Sequence, residues 1–180
     1  MTDASSQISA PPPQASIIIV TFNSRLHFPR QKATLESQPY RDYEIVVWDN
    51  GSDAGQRPVI TDFPDGARIF QSEYNIGFAA ANNRAADRCR GQFLVLLNPD
   101  AFPEPYWLER LVGAAEDHPE ASMIASLQVA VDNPTTLDGV GDCYSPLGAA
   151  WRGGEGRPVE SAPASGEVFG PCAAAALYRK

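Results

Sequence analysis

The sequence lacks the motifs of several common cofactor and metal sites. Its three cysteines, Cys89, Cys143 and Cys172, lie far apart and form no CxxC pair, which indicates reduced thiols in a cytosolic protein. No GxGxxG motif follows the first apolar segment and no GxxxxGKS/T motif is present, so the sequence matches neither a dinucleotide-dependent dehydrogenase nor a P-loop enzyme. The two histidines, His27 and His118, have no evident catalytic partner, and we expect both at the surface.

Long apolar runs and basic charge are also scarce. No run approaches the roughly 20 apolar residues that span a bilayer, and residues 1–14 lack the basic and apolar regions of a signal peptide. We expect this Ser-, Gln- and Pro-rich stretch to be a disordered tail, in a protein that is cytoplasmic or attached peripherally to the inner face of the membrane. The formal net charge of -8 disfavours a nucleic-acid partner, because such proteins more often carry a basic surface.

Short apolar segments alternate with segments of helical character along the chain. The apolar segments show no polar alternation, which is typical of strands buried on both faces of a parallel sheet. Strands are predicted at residues 16–20, 44–48, 68–71, 93–97 and 123–129. Helices are predicted from a cap at Asn23 or Ser24 to about residue 38, through residues 59–60, and over residues 78–90 and 104–117. The alternation predicts a doubly wound α/β sheet, with residues 132–167 as a functional loop region or a poorly ordered one.

Polar clusters follow the first four predicted strands. They are Thr21-Phe22-Asn23, Asp49-Asn50-Gly51-Ser52, Asn75-Ile76-Gly77 and Asn98-Pro99-Asp100. Open parallel sheets bind ligands outside the carboxyl ends of their strands, so we expect the four clusters to converge on one edge and to form a site there. The alternative is that strand-to-helix turns use these residues for backbone reasons, with Thr21, Asn23 and Asp100 as helix caps.

The motifs in this order resemble family 2 glycosyltransferases, which have the GT-A fold. The matching stretches are Ile19-Val20-Thr21-Phe22-Asn23, and Val47-Trp48-Asp49-Asn50-Gly51-Ser52 with one inserted Trp. Two more resemble a rhamnosyltransferase-like branch of that family: Asn75-Ile76-Gly77-Phe78 with the asparagines that follow it, and Leu96-Leu97-Asn98-Pro99-Asp100. The resemblance extends over residues 15–180. It implies a Rossmann-like GT-A nucleotide-diphospho-sugar transferase domain, mainly a parallel sheet flanked by helices and incomplete at its C-terminus.

The resemblance also implies a ligand and a role for each site residue. The donor would be a dTDP- or UDP-linked sugar, with rhamnose as the expected sugar, transferred with inversion to a glycan or lipid-linked acceptor in bacterial cell-wall or polysaccharide biosynthesis. The implied donor-binding residues are Thr21, Asn23, Asp49, Asn75, Gly77, Asn82 and Asn98. Asp100 would bind Mg²⁺ or Mn²⁺, hard cations that bridge carboxylate and diphosphate oxygens. Asn98 stands where the commoner motif has a first Asp, which removes one carboxylate, and Arg84 either pairs with the diphosphate or lies on a solvated helix face.

No catalytic base is assigned within the sequence. In the family it belongs to an acidic Glu-Asp cluster after a Gly/Ala-rich segment, and residues 169–180 match that segment without such a cluster behind them. We therefore expect the base beyond Lys180, and an exposed apolar edge near residues 169–178 that favours a homo-oligomer. Two alternatives stay open: a catalytically inactive nucleotide-sugar-binding or interaction module, and a nucleotidyltransferase. The second should carry a Gly-rich, Arg- or Lys-bearing loop after the first strand, which residues 21–30 do not resemble.

Overall fold

The computed structural model describes residues 11–180, and its strands and helices alternate as the sequence predicts. The first ten residues of the predicted tail, residues 1–14, lie outside the described part. The strands in chain order are β1 (Ala15–Thr21), β2 (Tyr43–Asp49), β3 (Arg68–Gln71), β4 (Phe93–Leu97), β5 (Met123–Ala125), β6 (Gln128–Val129), β7 (Leu137–Gly139), β8 (Asp142–Tyr144), β9 (Ala150–Arg152) and β10 (Ala175–Arg179). The helices are α1 (Phe28–Glu36), α2 (Phe78–Ala86) and α3 (Trp107–Asp117).

Six strands form one central sheet in the order β3-β2-β1-β4-β10-β5. Strands β1 to β4 pair in parallel, and β10 runs antiparallel to both of its neighbours. All seven residues of β1 are buried, as the continuous β-branched run predicts for a strand covered on both faces.

The helices cover the two faces of the sheet. Residues such as Ile17, Ile19 and Val47 face α1 and α3, whose Phe28, Leu35 and Leu108 complete one buried cluster. The alternate residues, such as Ile18, Val20 and Trp48, pack with Ala81 and Ala85 of α2 in a second cluster. Successive strand residues point to opposite faces, so each strand contributes to both clusters. Within residues 11–180 no helix is long and apolar enough to cross a membrane.

The helical segment begins after Ser24, as predicted, but neither cap candidate caps it through its side chain. Asn23 adopts a positive φ of 54°, and its side chain accepts a hydrogen bond from the Asp53 N–H at 2.9 Å. The Ser24 hydroxyl donates to the Phe22 carbonyl instead of capping. A 3-10 turn, Arg25–His27, follows, and α1 begins at Phe28 with a proline in its first turn. Both cap candidates are therefore engaged elsewhere, Asn23 with the loop after β2.

The C-terminal third also departs from the predicted pattern. The predicted strand 123–129 is divided between β5 in the central sheet and β6, which pairs with β7. The region from residue 132 to 167 holds the short antiparallel pair β8–β9 and part of β6–β7. The predicted exposed edge near residues 169–178 was wrong for β10, because this strand pairs with β4 and β5 on its two sides and Ala175, Ala176 and Leu177 are buried.

A buried carboxylate lies at the opposite, amino-terminal end of the parallel strands. Glu44 accepts hydrogen bonds from the Ser16 hydroxyl at 2.8 Å and from the Arg90 backbone N–H at 2.6 Å. The guanidinium groups of Arg68 and Arg90 each lie 2.9 Å from its second oxygen. This network joins β1, β2, β3 and the segment before β4, so it fastens the sheet at the end remote from the predicted site.

Candidate functional site

An open cleft with a volume of about 290 Å³ lies at the carboxyl end of the parallel strands. All four polar clusters contribute to its lining, through Phe22, Asn50, Asn75 and the turn of Asn98, Pro99 and Asp100. Ser24, His27 and Phe78 complete it beside Val20. The structure thus brings together three of the predicted site residues, Asn75, Asn98 and Asp100.

Thr21, Asn23 and Asp49 lie beside the cleft but do not line it. Thr21 is fully buried, and its Oγ1 has no hydrogen-bond partner among residues 11–180. Asp49 is also buried, and its Oδ1 accepts the Ser52 N–H at 3.1 Å, which shapes the turn after β2. The strand alternation explains this placement, because Thr21 and Asp49 pair in register on the face covered by α1 and α3. Their direct contact with a donor remains a prediction.

Gly77, Asn82 and Arg84 belong to the start and body of α2. Gly77 precedes the helix with a φ of 87°, a conformation that residues with a Cβ rarely adopt. The amide of Asn82 is buried and donates to the Phe78 carbonyl at 2.9 Å, so it bonds within its own helix. Arg84 is exposed on α2 and does not line the cleft. None of the three lines the cleft, whereas Phe78 at the start of the same helix does.

Several cleft residues were missed by sequence reasoning. Phe22, Asn50 and Phe78 occur in the motifs but were not predicted as site residues. Two signals pointed to them: Phe22 and Asn50 lie two residues after the strand residues Val20 and Trp48, and Phe78 lies at a helix start. The expected surface position is confirmed for His118. His27 is partly exposed and lies in the cleft lining beside the Phe102 ring.

Gly51 allows two of the polar clusters to touch. Its φ is +81°, and a Cβ at this position would lie 2.5–2.8 Å from the backbone of Tyr74 and Asn75. No real Cβ tolerates such a distance, so only glycine permits this approach. The loop after β2 therefore lies directly against the loop after β3, and Asn50 reaches Asn75.

Two buried glutamines form hydrogen bonds with the segment that carries Asp100 and leads into α3. The Gln31 amide of α1 donates to the Asn98 carbonyl at 2.7 Å, and the Asn98 N–H donates to the Ala174 carbonyl at 2.8 Å. Gln38, seven residues after Gln31, donates to the Glu104 carbonyl at 3.0 Å and accepts the Leu108 N–H at 3.2 Å. These side chains tie the segment between β4 and α3 to the core.

Gln38, not Asp100, accepts a backbone N–H at the amino-terminal end of α3. The helix begins at Trp107, seven residues after Asp100, and its N-cap residue Tyr106 makes no side-chain cap. The capping alternative for Asp100 was therefore wrong. Asp100 is exposed at the cleft instead.

Gln38→Ala should lower the free energy of unfolding by about 1–3 kcal/mol, because it leaves the buried backbone N–H of Leu108 without its acceptor. Urea denaturation measures this change. Gln56→Ala removes an exposed glutamine and serves as the control, with an expected change within about 0.5 kcal/mol. Equal effects of the two substitutions would contradict the assigned role of Gln38.

The residues of the cleft fit a cation that arrives with an anionic ligand. Among residues 11–180 no group of three or more His, Cys, Asp or Glu side chains forms a metal site, and Asp100 is the single carboxylate in the cleft lining. Mg²⁺ is usually held by one or two carboxylates together with substrate phosphates and water. One carboxylate is thus sufficient for a cation shared with a diphosphate and insufficient for a cage made of protein alone.

Comparisons with known proteins identify related sequences. A family model described as Glycosyl transferase family 2 matches residues 16–179. Glycosyltransferase AglE of Haloferax volcanii is 30% identical over 103 residues, which are 54% of this chain and 34% of that protein. An uncharacterized glycosyltransferase of Haemophilus influenzae is 22% identical over 144 residues, which are 78% of this chain and 44% of that protein.

Solved structures share the fold. The mannosyltransferase PcManGT from Pyrobaculum calidifontis, in complex with GDP-Man and Mn²⁺, superposes with a TM-score of 0.57 at 23% identity, over 66% of this chain and 38% of its own. S. aureus TarS 1-349 in complex with UDP-GlcNAc gives 0.59 at 18% identity, over 67% and 36%. The α/β fold of the GT-A type is thereby confirmed.

The present chain spans less than half the length of each of these four proteins. The family model, in contrast, covers it almost from end to end, and its matched range includes all four polar clusters at the cleft. The chain belongs to glycosyl transferase family 2.

Proposed function

We propose that this chain is the donor-binding part of an inverting glycosyltransferase that uses a dTDP- or UDP-linked sugar, with rhamnose as the sugar and a glycan or lipid-linked molecule as the acceptor. The observation that carries the proposal is the cleft itself, in which the ends of four strands bring three asparagines and Asp100 together. The family match supports glycosyl transfer, and the motifs around Asn75 and Asp100 support the branch.

The lining residues suit the parts of a nucleotide sugar. Phe22 and Phe78 offer apolar ring surfaces for a base or a sugar face. The asparagine amides offer hydrogen bonds in a chain whose net charge of -8 would otherwise repel an anionic ligand. A cation at Asp100 would offset the charge on the departing nucleoside diphosphate. Asp100 would hold that cation, and Gln31 would keep the turn of Asp100 in place.

The choice of nucleotide rests on the motifs. PcManGT is in complex with GDP-Man and TarS 1-349 with UDP-GlcNAc, so both purine and pyrimidine nucleotides occur among the proteins that share this fold. The resemblance of Asn75-Ile76-Gly77-Phe78 and Asn98-Pro99-Asp100 to the rhamnosyltransferase-like branch favours dTDP or UDP.

Isothermal titration calorimetry with dTDP-rhamnose, UDP-glucose, GDP-mannose and ADP-glucose tests this proposal. We expect the dTDP- or UDP-linked sugars to bind in the presence of Mn²⁺ and to bind more weakly in EDTA. A ligand that binds only the folded state also raises the melting midpoint, so thermal-shift measurements provide a second readout. Binding of purine-linked sugars alone would contradict the dTDP or UDP assignment. If none of the four sugar nucleotides binds, the alternative of an interaction module is favoured instead.

A further inference from the structure

Two asparagine side chains at the cleft, Asn50 and Asn75, are hydrogen-bonded to each other and to the backbone. Asn50 Oδ1 accepts the Ile76 backbone N–H at 2.9 Å, and Asn75 Oδ1 accepts the Gly77 backbone N–H at 2.9 Å. The Nδ2 of Asn50 donates to the same Oδ1 of Asn75 at 3.0 Å. Both side chains line the cleft.

The two backbone N–H groups determine which way each amide points. A backbone N–H is only a donor, so the atom that it meets must be the side-chain oxygen. Exchanging oxygen and nitrogen in Asn75 would place its NH₂ against the N–H of Gly77 and against the NH₂ of Asn50. The same exchange in Asn50 would oppose the N–H of Ile76. The Ile76 N–H therefore sets the orientation of Asn50, and the Gly77 N–H together with the Asn50 NH₂ sets that of Asn75.

This arrangement determines what Asn75 has left to offer a ligand. Its oxygen already accepts two hydrogen bonds, from Asn50 and Gly77, which saturates both lone pairs. Its NH₂ makes no side-chain hydrogen bond among the described residues. At this point the cleft presents N–H donors and no acceptor from Asn75.

We propose that Asn50 is a positioning residue for specificity, which makes the cleft prefer a nucleobase with a keto oxygen over one with an amino group at the same place. The inference rests on the proposed function, since it assumes a nucleotide ligand. Asn50 acts through Asn75, whose NH₂ donates to the keto oxygen of uracil, thymine or guanine. Against cytosine or adenine the same NH₂ meets another NH₂, and both groups lose a hydrogen bond.

The neighbouring side chains indicate that the ligand part at Asn75 is a base. Phe22 and Phe78 line the same cleft and are 47% and 48% exposed. Aromatic rings stack favourably on the flat face of any base, whereas a diphosphate gains nothing from them. Asp100, on the loop after β4, is the group suited to the diphosphate and its cation.

Calorimetric titration of the chain with UDP and CDP tests the inference, with GDP and ADP as a second pair. The members of each pair share the ribose and the diphosphate, and they differ in whether the base carries a keto or an amino group at the corresponding position. In a pair that binds the unaltered chain, we expect the nucleotide with the keto group to bind about tenfold more tightly than the nucleotide with the amino group. This ratio is the effect of roughly one hydrogen bond.

Asn50→Asp should abolish that preference. The nearly isosteric carboxylate still accepts the Ile76 N–H but cannot donate to Asn75. Its oxygen, in the place of the Asn50 NH₂, repels the Asn75 oxygen, whereas turning the Asn75 amide over would oppose the Gly77 N–H. Neither orientation of Asn75 is then favoured, so the ratio of affinities falls to about one. Asn75→Ala, a change at an exposed side chain, removes the N–H donors and should also bring the ratio to about one. Asn83→Asp adds the same charge on exposed α2 outside the lining, and the ratio should persist.

The outcomes separate this inference from the proposed function. A tenfold keto preference that survives Asn50→Asp would overturn the role of Asn50, whether or not Asn75→Ala removes it, while nucleotide binding stands. A preference within the GDP and ADP pair alone, lost in both variants, would support Asn50 and overturn the dTDP or UDP assignment. Failure of all four nucleotides to bind the unaltered chain with Mn²⁺ would overturn the inference together with the proposed function.

Discussion

Asp100→Ala is expected to weaken binding of a dTDP- or UDP-linked sugar about 100-fold in Mn²⁺ and by less than about threefold in EDTA. The structure gives the reason. Asp100 is the single carboxylate that the described part of the chain contributes to the cleft lining, so its removal would take away the protein's share of a cation held with the diphosphate. Calorimetric titration under the two conditions yields both affinities.

Two matched variants define the controls for this result. Asp65→Ala removes an exposed carboxylate outside the cleft lining and should leave both affinities unchanged. Asp100→Asn keeps the size of the side chain and loses the charge, and it should behave as Asp100→Ala does. A loss for Asp100→Ala that is the same with and without metal would mean that Asp100 contributes to the shape of the turn and not to a cation.

Glu44→Ala is expected to lower the free energy of unfolding by about 3 kcal/mol, since two arginines and two neutral donors lose the buried carboxylate that they bind. The substitution leaves the Ser16 hydroxyl and the Arg90 N–H without their acceptor. Arg68 and Arg90 remain partly exposed, which keeps the loss below the largest values for buried pairs. Urea denaturation measures it, with Glu36→Ala as the control for an exposed carboxylate paired only with Lys32 and an expected loss within about 0.5 kcal/mol. Similar losses for the two variants would contradict a stabilising role for the network.

The same carboxylate should make stability depend on pH. Burial by itself would raise the pKa of Glu44, but the hydrogen bonds from the Arg90 N–H, the Ser16 hydroxyl and the Arg90 guanidinium, with the charge of Arg68, outweigh it and lower the pKa. A carboxyl group with a lowered pKa in the folded state stabilises the fold above its unfolded pKa of about 4.3, and this contribution disappears as the pH falls through the folded value. Glu44→Ala should therefore lose less stability than the unaltered chain between about pH 5 and pH 3. Parallel curves of stability against pH would exclude Glu44 as the cause.

The amino-acid sequence by itself determined strands β1 to β4, the polar clusters and the family. Continuous apolar runs such as residues 16–20 have no polar face, so they fit only between two layers of helices. The polar residues that stop these runs then have to lie at the carboxyl edge of a parallel sheet. Both inferences depend on local patterns, and the structure bears them out in β1, β2 and β4 and in the lining of the cleft.

Tertiary structure alone decided which member of each cluster lines the cleft. Thr21 and Asp49 were assigned to the donor, yet the faces of the sheet covered by α1, α2 and α3 turn Phe22 and Asn50 into the cleft. Strand alternation places neighbouring residues on opposite faces, and a short apolar run does not reveal which face will be open.

The supports of the site depended on contacts between distant parts of the chain. Gln31 reaches the Asn98 carbonyl across 67 residues, and Gln38 reaches the Leu108 N–H across 70. β10 enters the sheet between β4 and β5, although its alanines carried no strand pattern. Packing and the need of buried polar groups for hydrogen bonds determine such partners. Neither can be predicted from the local sequence.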